Sequence, residues 1–178
     1  MSLPTRAQSH QLLTKYIKNA ALIHHCQLVA VAMETYAKTL SEDPELWYAT
    51  GLLHDLDWEK YPDEHPHKAI AELLNDYPPE LRAAVAAHAP QRTGKQPVTT
   101  LDQYLFACDE ISGLMHAVSL MRPGGFTDMK PKSIKKKLKD KSFAANVSRA
   151  DIDQGFALIG KTPDEHIQFL IEVFQTIN

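Results

Sequence analysis

Cysteine is scarce in this 178-residue chain: Cys26 and Cys108 are the only two, each inside an apolar helical pattern. Two thiols so placed make no disulfide framework and are expected to be buried, free and reduced. No apolar run is long enough to cross a bilayer, and the opening Met1-Ser2-Leu3-Pro4-Thr5-Arg6 lacks the apolar stretch of a secretory signal. The expected location is therefore the cytoplasm, with no membrane partner. Neither charge sign dominates. Nineteen Lys and Arg against 22 Asp and Glu leave a net charge of -3, too mild to call for nucleic acid or an anionic surface as partner. Strand signals are almost missing, and there is no internal repeat, low-complexity linker or evident domain boundary.

What is present reads as helix. Hydrophobic content of 44% and charged content of 23% suit a globular protein, and the length suits one domain with its own core. Asn19 can cap a long helix running to about Leu40, with Leu22, Val29, Ala32, Met33, Tyr36 and Leu40 along one side. Asp43-Pro44 opens a second helix ending near His54-Asp55. Short helices are expected over 65–74 and 79–88. Thr99 or Thr100 starts another long one, through about Met121, which Pro123-Gly124-Gly125 stops. Segments 131–139, 148–159 and 163–177 supply three more, the last capped by Thr162. The expected fold is all-α, a single-domain helical bundle.

The most informative residues are His54-Asp55, within Gly51-Leu52-Leu53-His54-Asp55-Leu56-Asp57. Side by side they offer a metal one imidazole nitrogen and one carboxylate oxygen. A cation held so lowers the pKa of bound water and yields a nucleophile near neutral pH. His25 falls on the apolar stripe Leu22, His25, Val29, Ala32, Tyr36 and so points inward, whereas His24 lies about 100° around the helix. A core histidine with both nitrogens satisfied is the bland reading of His25. Asp109 interrupts the apolar run Tyr104-Leu105-Phe106-Ala107-Cys108, and aspartate is rarely buried there unless paired or metal-bound; a solvated outer face is its alternative. Gly113, one turn on, would admit a close approach. Together His25, His54, Asp55 and Asp109 form a mixed nitrogen and oxygen set. It suits Mn, Fe, Ni, Co or Zn as a divalent ion and argues against a thiolate zinc site.

With their flanking residues, these positions resemble the HD superfamily of metal-dependent phosphohydrolases. The resemblance rests on Ala21-Leu22-Ile23-His24-His25, on Gly51 to Asp57, on His65-Pro66 before a short helix, on His88, and on Ala107-Cys108-Asp109-Glu110-Ile111-Ser112-Gly113-Leu114. The stretch from Met121-Arg122-Pro123 through the lysine-rich segment to Phe143-Ala144 and Arg149 is similar to a bacterial subgroup of small, stand-alone HD-domain hydrolases. The resemblance implies a metal-binding core over about 19–121, with C-terminal helices over 131–178 packing on it. It also implies a second ion, held by His65 and His88 with Asp55 bridging. Two-metal HD-GYP proteins carry an adjacent histidine pair where this chain has His88-Ala89, and their Gly-Tyr-Pro motif is missing. The six-residue order is also similar to that of mixed-valent diiron oxygenases of the superfamily.

Asp57 and Glu59 follow the metal pair closely enough to orient a ligand or act as general base. Lysines at 130, 132, 135, 136, 137, 139 and 141 form either a solvated helix face or, through Lys136 and Lys137 with Arg122, a grip on substrate phosphate. The expected activity is hydrolysis of a small phosphate ester, such as a nucleotide, through a metal-bound hydroxide at one or two divalent ions. The alternatives are a diiron oxygenase and a non-catalytic, metal-bearing nucleotide sensor.

Overall fold

The computed structural model describes residues 3–177, and among these there is no strand. Nine α-helices follow one another among the described residues: α1 (Arg6–Tyr16), α2 (Ala20–Leu40), α3 (Pro44–Leu53), α4 (Pro79–Ala87), α5 (Pro90–Thr93), α6 (Thr100–Leu120), α7 (Pro131–Lys139), α8 (Arg149–Leu158) and α9 (Pro163–Phe174). A π-helical turn, Ala69–Leu73, lies between α3 and α4. The all-α expectation holds, and most helix starts follow from their caps. Asn19 accepts from Ala21 and Leu22, Asp43 from Glu45 and Leu46, Thr99 from Asp102 and Thr162 from Glu165. Each such cap is worth about 1 kcal/mol.

Four segments depart from expectation, one of them the single turn α5, where no helix was expected. Helix α1 was not anticipated, although Thr5 and Gln8 form a capping box at its start. The segment 65–74 is mostly turns and π-winding. The Ala69 amide donates to Asp57 Oδ2 at 2.8 Å, and Leu74 N reaches back five residues to Ala69 O. Helix α9 ends at Phe174, three residues before 177.

The two long helices, α2 and α6, span 21 residues each and frame the core. Helix α3 crosses α2 without a gap: a Cβ on Gly51 would sit 2.8 Å from the Ala30 Cα. Gly155 of α8 meets Ala107 of α6 in the same way, also at 2.8 Å. Only glycine fits such crossings, because overpacking there displaces backbone rather than a side chain. Helix α7 turns Ile134 into the core, and α9 lies across α2 and α7.

Inside this core His166 of α9 is fully buried. Its Nε2 donates to the Ala107 carbonyl at 3.0 Å, and its Nδ1 accepts from the Tyr36 hydroxyl at 2.6 Å. Burial holds the ring down at about 4, so it stays neutral. Cys26 and Cys108 are buried free thiols, and burial pushes Cys26 up to about 12.

Candidate metal centre

Three helices deliver the first group of donors. His25 comes from the second turn of α2, His54 from the C-terminal end of α3, and Asp109 from the middle of α6. His25 Nε2 lies 3.0 Å from Asp109 Oδ1 and 3.3 Å from His54 Nε2, and His54 Nε2 lies 3.3 Å from Asp109 Oδ1. Asp55, one residue past His54, faces two ways. Its Oδ2 is 3.5 Å from His54 Nε2 and 3.9 Å from His25 Nε2; its Oδ1 is 3.5 Å from His65 Nε2 and 3.8 Å from His88 Nε2. Asp55, His65 and His88 thus make a second donor group, with all ligand atoms of each group within 4.8 Å of one another.

Hydrogen bonds on the far side of the rings decide what those Nε2 atoms are. His54 Nδ1 donates to Gly51 O at 2.7 Å, His88 Nδ1 to Val85 O at 2.5 Å, and His65 Nδ1 to Asp57 Oδ1 at 2.7 Å. A neutral imidazole with its proton on Nδ1 presents a lone pair at Nε2. His65 and His88 therefore point lone pairs at each other across 3.2 Å, beside a carboxylate. Such a confrontation is repulsive without a positive charge between the atoms. The donor set fits divalent cations.

Electrostatics agree. Burial alone would lower His54, but the Asp55 and Asp109 carboxylates overturn it and hold the imidazole well above its ordinary value. Burial would likewise raise Asp55 and Asp109, yet the neighbouring imidazoles hold both carboxyls below theirs. The cluster draws positive charge, and a divalent ion would supply it without protonating the donors.

The other sequence candidates are not among the donors themselves. Asp57 is fully buried, and its two oxygens are taken by His65 Nδ1 and the Ala69 amide, so it orients His65 and faces no substrate. Glu59 is exposed and accepts from the Lys18 and Asn19 amides at 2.8 and 2.9 Å, holding the entry to α2. Arg122 donates to Thr127 O within its own loop. Lys137 sits 4.4 Å over the Phe143 ring and 3.8 Å from Asp140, and Lys136 is exposed. None of these three lines the cavity above the donors. With Ile134 anchoring α7 inward, its lysines are turned outward. Gly113 lines the cavity, but a Cβ there would meet only ordinary contacts at 3.9 Å.

That cavity measures about 330 Å³ and is lined by five of the six donors, His54 lying buried beneath them. Its walls contain residues the sequence did not single out. Arg92 of α5 lies 5.2 Å from the Trp58 ring centroid, with its Nη1 donating to Pro62 O at 2.7 Å and His65 O at 3.1 Å. Trp58 in turn meets the His65 ring edge-on, centroids 4.8 Å apart. Glu110 is raised to about 7 by burial and by its neighbour Asp109, and it accepts from Ser148 N at 3.0 Å. Asn146, Val147 and Asp151 close the opposite side. No local sequence signal marked Arg92, because its aromatic partner Trp58 lies 34 positions earlier and meets it only in the fold.

A family model described as HD domain matches residues 22–114, just over half of the chain, and its span holds all six donors. No curated protein and no solved structure matches. Among the described residues, no helix is long and apolar enough to cross a membrane.

Proposed function

The chain belongs to the HD domain family, and from that premise we propose that it is a metal-dependent phosphohydrolase that hydrolyses a small phosphate ester, with nucleotides the first class to test. The observation that carries this reading is the Asp55 carboxylate, one oxygen turned to His25 and His54, the other to His65 and His88. His25, His54, Asp109 and Asp55 Oδ2 would hold one ion; His65, His88 and Asp55 Oδ1 would hold the other. Bound there, divalent ions supply a water of lowered pKa and offset charge on phosphoryl oxygens.

The chain's own groups do the rest. Gly51 O, Val85 O and Asp57 keep protons on the outer ring nitrogens, so each Nε2 stays a donor. Arg92 stands at the rim on the His65 side, where its guanidinium can take phosphate oxygens; Trp58 and the two carbonyls fix its plane. In the reaction the ester P–O bond breaks and a P–O bond to the water oxygen forms. One water proton ends on the departing alcohol and the other on phosphate or solvent.

Elemental analysis of freshly purified protein tests the metal content. A phosphate-release screen over nucleotides with Mn²⁺, Fe²⁺, Ni²⁺, Co²⁺ and Zn²⁺ then tests the activity. The bridged six-donor set also supports a second reading, a diiron oxygenase. An iron-dependent chromophore with oxygen consumption and no phosphate release selects that reading instead.

A further inference from the structure

The segment between α7 and α8, with the first turn of α8, lies outside the span matched by the family model, yet it supplies one whole wall of the cavity. It is held firmly. Arg149 donates through Nη1 to Ala144 O at 2.6 Å and Val147 O at 2.8 Å, and through Nη2 to Asp140 O at 3.2 Å and to Phe143 O. One guanidinium thereby gathers four carbonyls of the segment, which fixes the backbone that carries Asn146 and Val147. Ser148 N bonds to Glu110 on α6, tying the segment to the residue beside a metal donor. Val147 also overlies Gly113: a Cβ there would lie 3.9 Å from a Val147 methyl and 3.9 Å from the His25 ring.

The cavity is therefore two-sided. Arg92 stands on the α5 side, while the α8 side presents the Val147 methyls, the Asn146 amide and the Asp151 carboxylate. Gln91 Nε2 spans the two sides, reaching Asp151 at 3.1 and 3.3 Å, a long and divided bond that a ligand donor can displace. An ionised carboxylate only accepts hydrogen bonds.

Resting on the phosphohydrolase reading for the position of the phosphate, we infer that residues 146–151 form the subsite for the alcohol portion of the substrate. It selects small phosphate monoesters whose alcohol carries hydroxyl or ammonium donors. Asp151 accepts from those donors, Val147 packs on the carbon skeleton, and Asn146 adds a hydrogen bond. A site built around a polar partner rejects analogues that lack it much more strongly than an apolar wall rejects an extra group.

The test uses the metal-loaded full chain and a panel of a polyol phosphate, an aminoalkyl phosphate, a nucleoside monophosphate and p-nitrophenyl phosphate, which has no donor on its ring. The wild type should prefer the best donor-bearing ester over p-nitrophenyl phosphate in kcat/KM. Asp151→Asn and Asn146→Ala should each shrink that ratio, Asp151→Asn by about tenfold or more, with metal content and melting temperature retained. A ratio unchanged in both folded variants overturns the subsite. Calorimetric binding of the same panel keeps the two proposals separable. If metal-loaded wild type releases no phosphate from any ester, the phosphohydrolase reading fails. Selective binding that is lost in Asp151→Asn still supports the subsite, and indiscriminate or unaltered binding overturns it.

Discussion

Two places in this molecule bury histidine, and they treat it in opposite ways. In the α2–α6–α9 core, His166 has a partner on each nitrogen, the Tyr36 hydroxyl on one and the Ala107 carbonyl on the other. In the candidate metal centre the outer nitrogens of His54, His65 and His88 are satisfied, but their Nε2 atoms meet other imidazoles and carboxylates. Burial does not separate the two, since His54 and His166 are both fully buried. The inward nitrogen separates them: a structural histidine completes its hydrogen bonds within the protein, and a ligand leaves a lone pair facing like atoms.

The sharpest way to break this contrast is Asp55→Ala, because that carboxylate serves both donor groups. Metal content should fall from about two ions per chain toward none, with a loss of turnover beyond the 10–100-fold typical of an outer partner, while circular dichroism shows the helices intact. Stoichiometric metal in the variant would show that the wrong ligands have been named. His88→Ala should remove one ion and most turnover; full activity with a single ion would leave a mononuclear site. Either result is read by elemental analysis beside kinetics.

His166 should show the opposite behaviour: no effect on metal, a large effect of pH. Its folded value of about 4 lies below the ordinary histidine value. Between the two, the unfolded chain binds a proton that the folded chain refuses. The contribution is therefore complete above about pH 6.5 and is lost as pH falls toward 4, by roughly 3 kcal/mol in all. Denaturant unfolding of wild type and His166→Gln across that window should diverge by this slope. Parallel curves would mean that His166 takes up its proton inside the fold.

Asp57→Asn tests the support behind His65. Weakening the charge behind its Nδ1 should loosen the second ion by about 10–100-fold and leave the first in place, as metal titration would read. The smallest effect belongs to Lys136→Ala, whose side chain is exposed and away from the cavity. KM and kcat should stay within about twofold of wild type, since substitutions remote from such features are nearly silent.

The starts of α2, α3, α6, α7 and α9 were legible because their caps are written in one or two residues: Asn19, Asp43-Pro44, Thr99, Pro131 and Thr162. Helix α1 carried the same kind of mark at Thr5 and Gln8, but its weak apolar pattern hid it. Helix α5 is a single turn, too short for periodicity. Asp57 disrupts the expected helix over 65–74 by drawing off the Ala69 amide, a contact between residues 12 apart that no local rule foresees. In the site, His25 was readable from its helical phase, and His54-Asp55 and Asp109 from the apolar runs they interrupt. Arg92, Trp58 and Asn146 were not, because a cavity wall is made by whichever surfaces packing brings opposite one another.

The touching contact of Gly51 with Ala30 has a bearing on the geometry of the candidate metal centre. It acts as a hard stop between the helices that carry His25 and His54. Rings can turn about their side-chain torsions, but the backbones beneath them have no room left to close. The spacing of these two imidazoles is accordingly set by a backbone contact, and Gly51→Ala would push the two helices, and the two donors with them, apart.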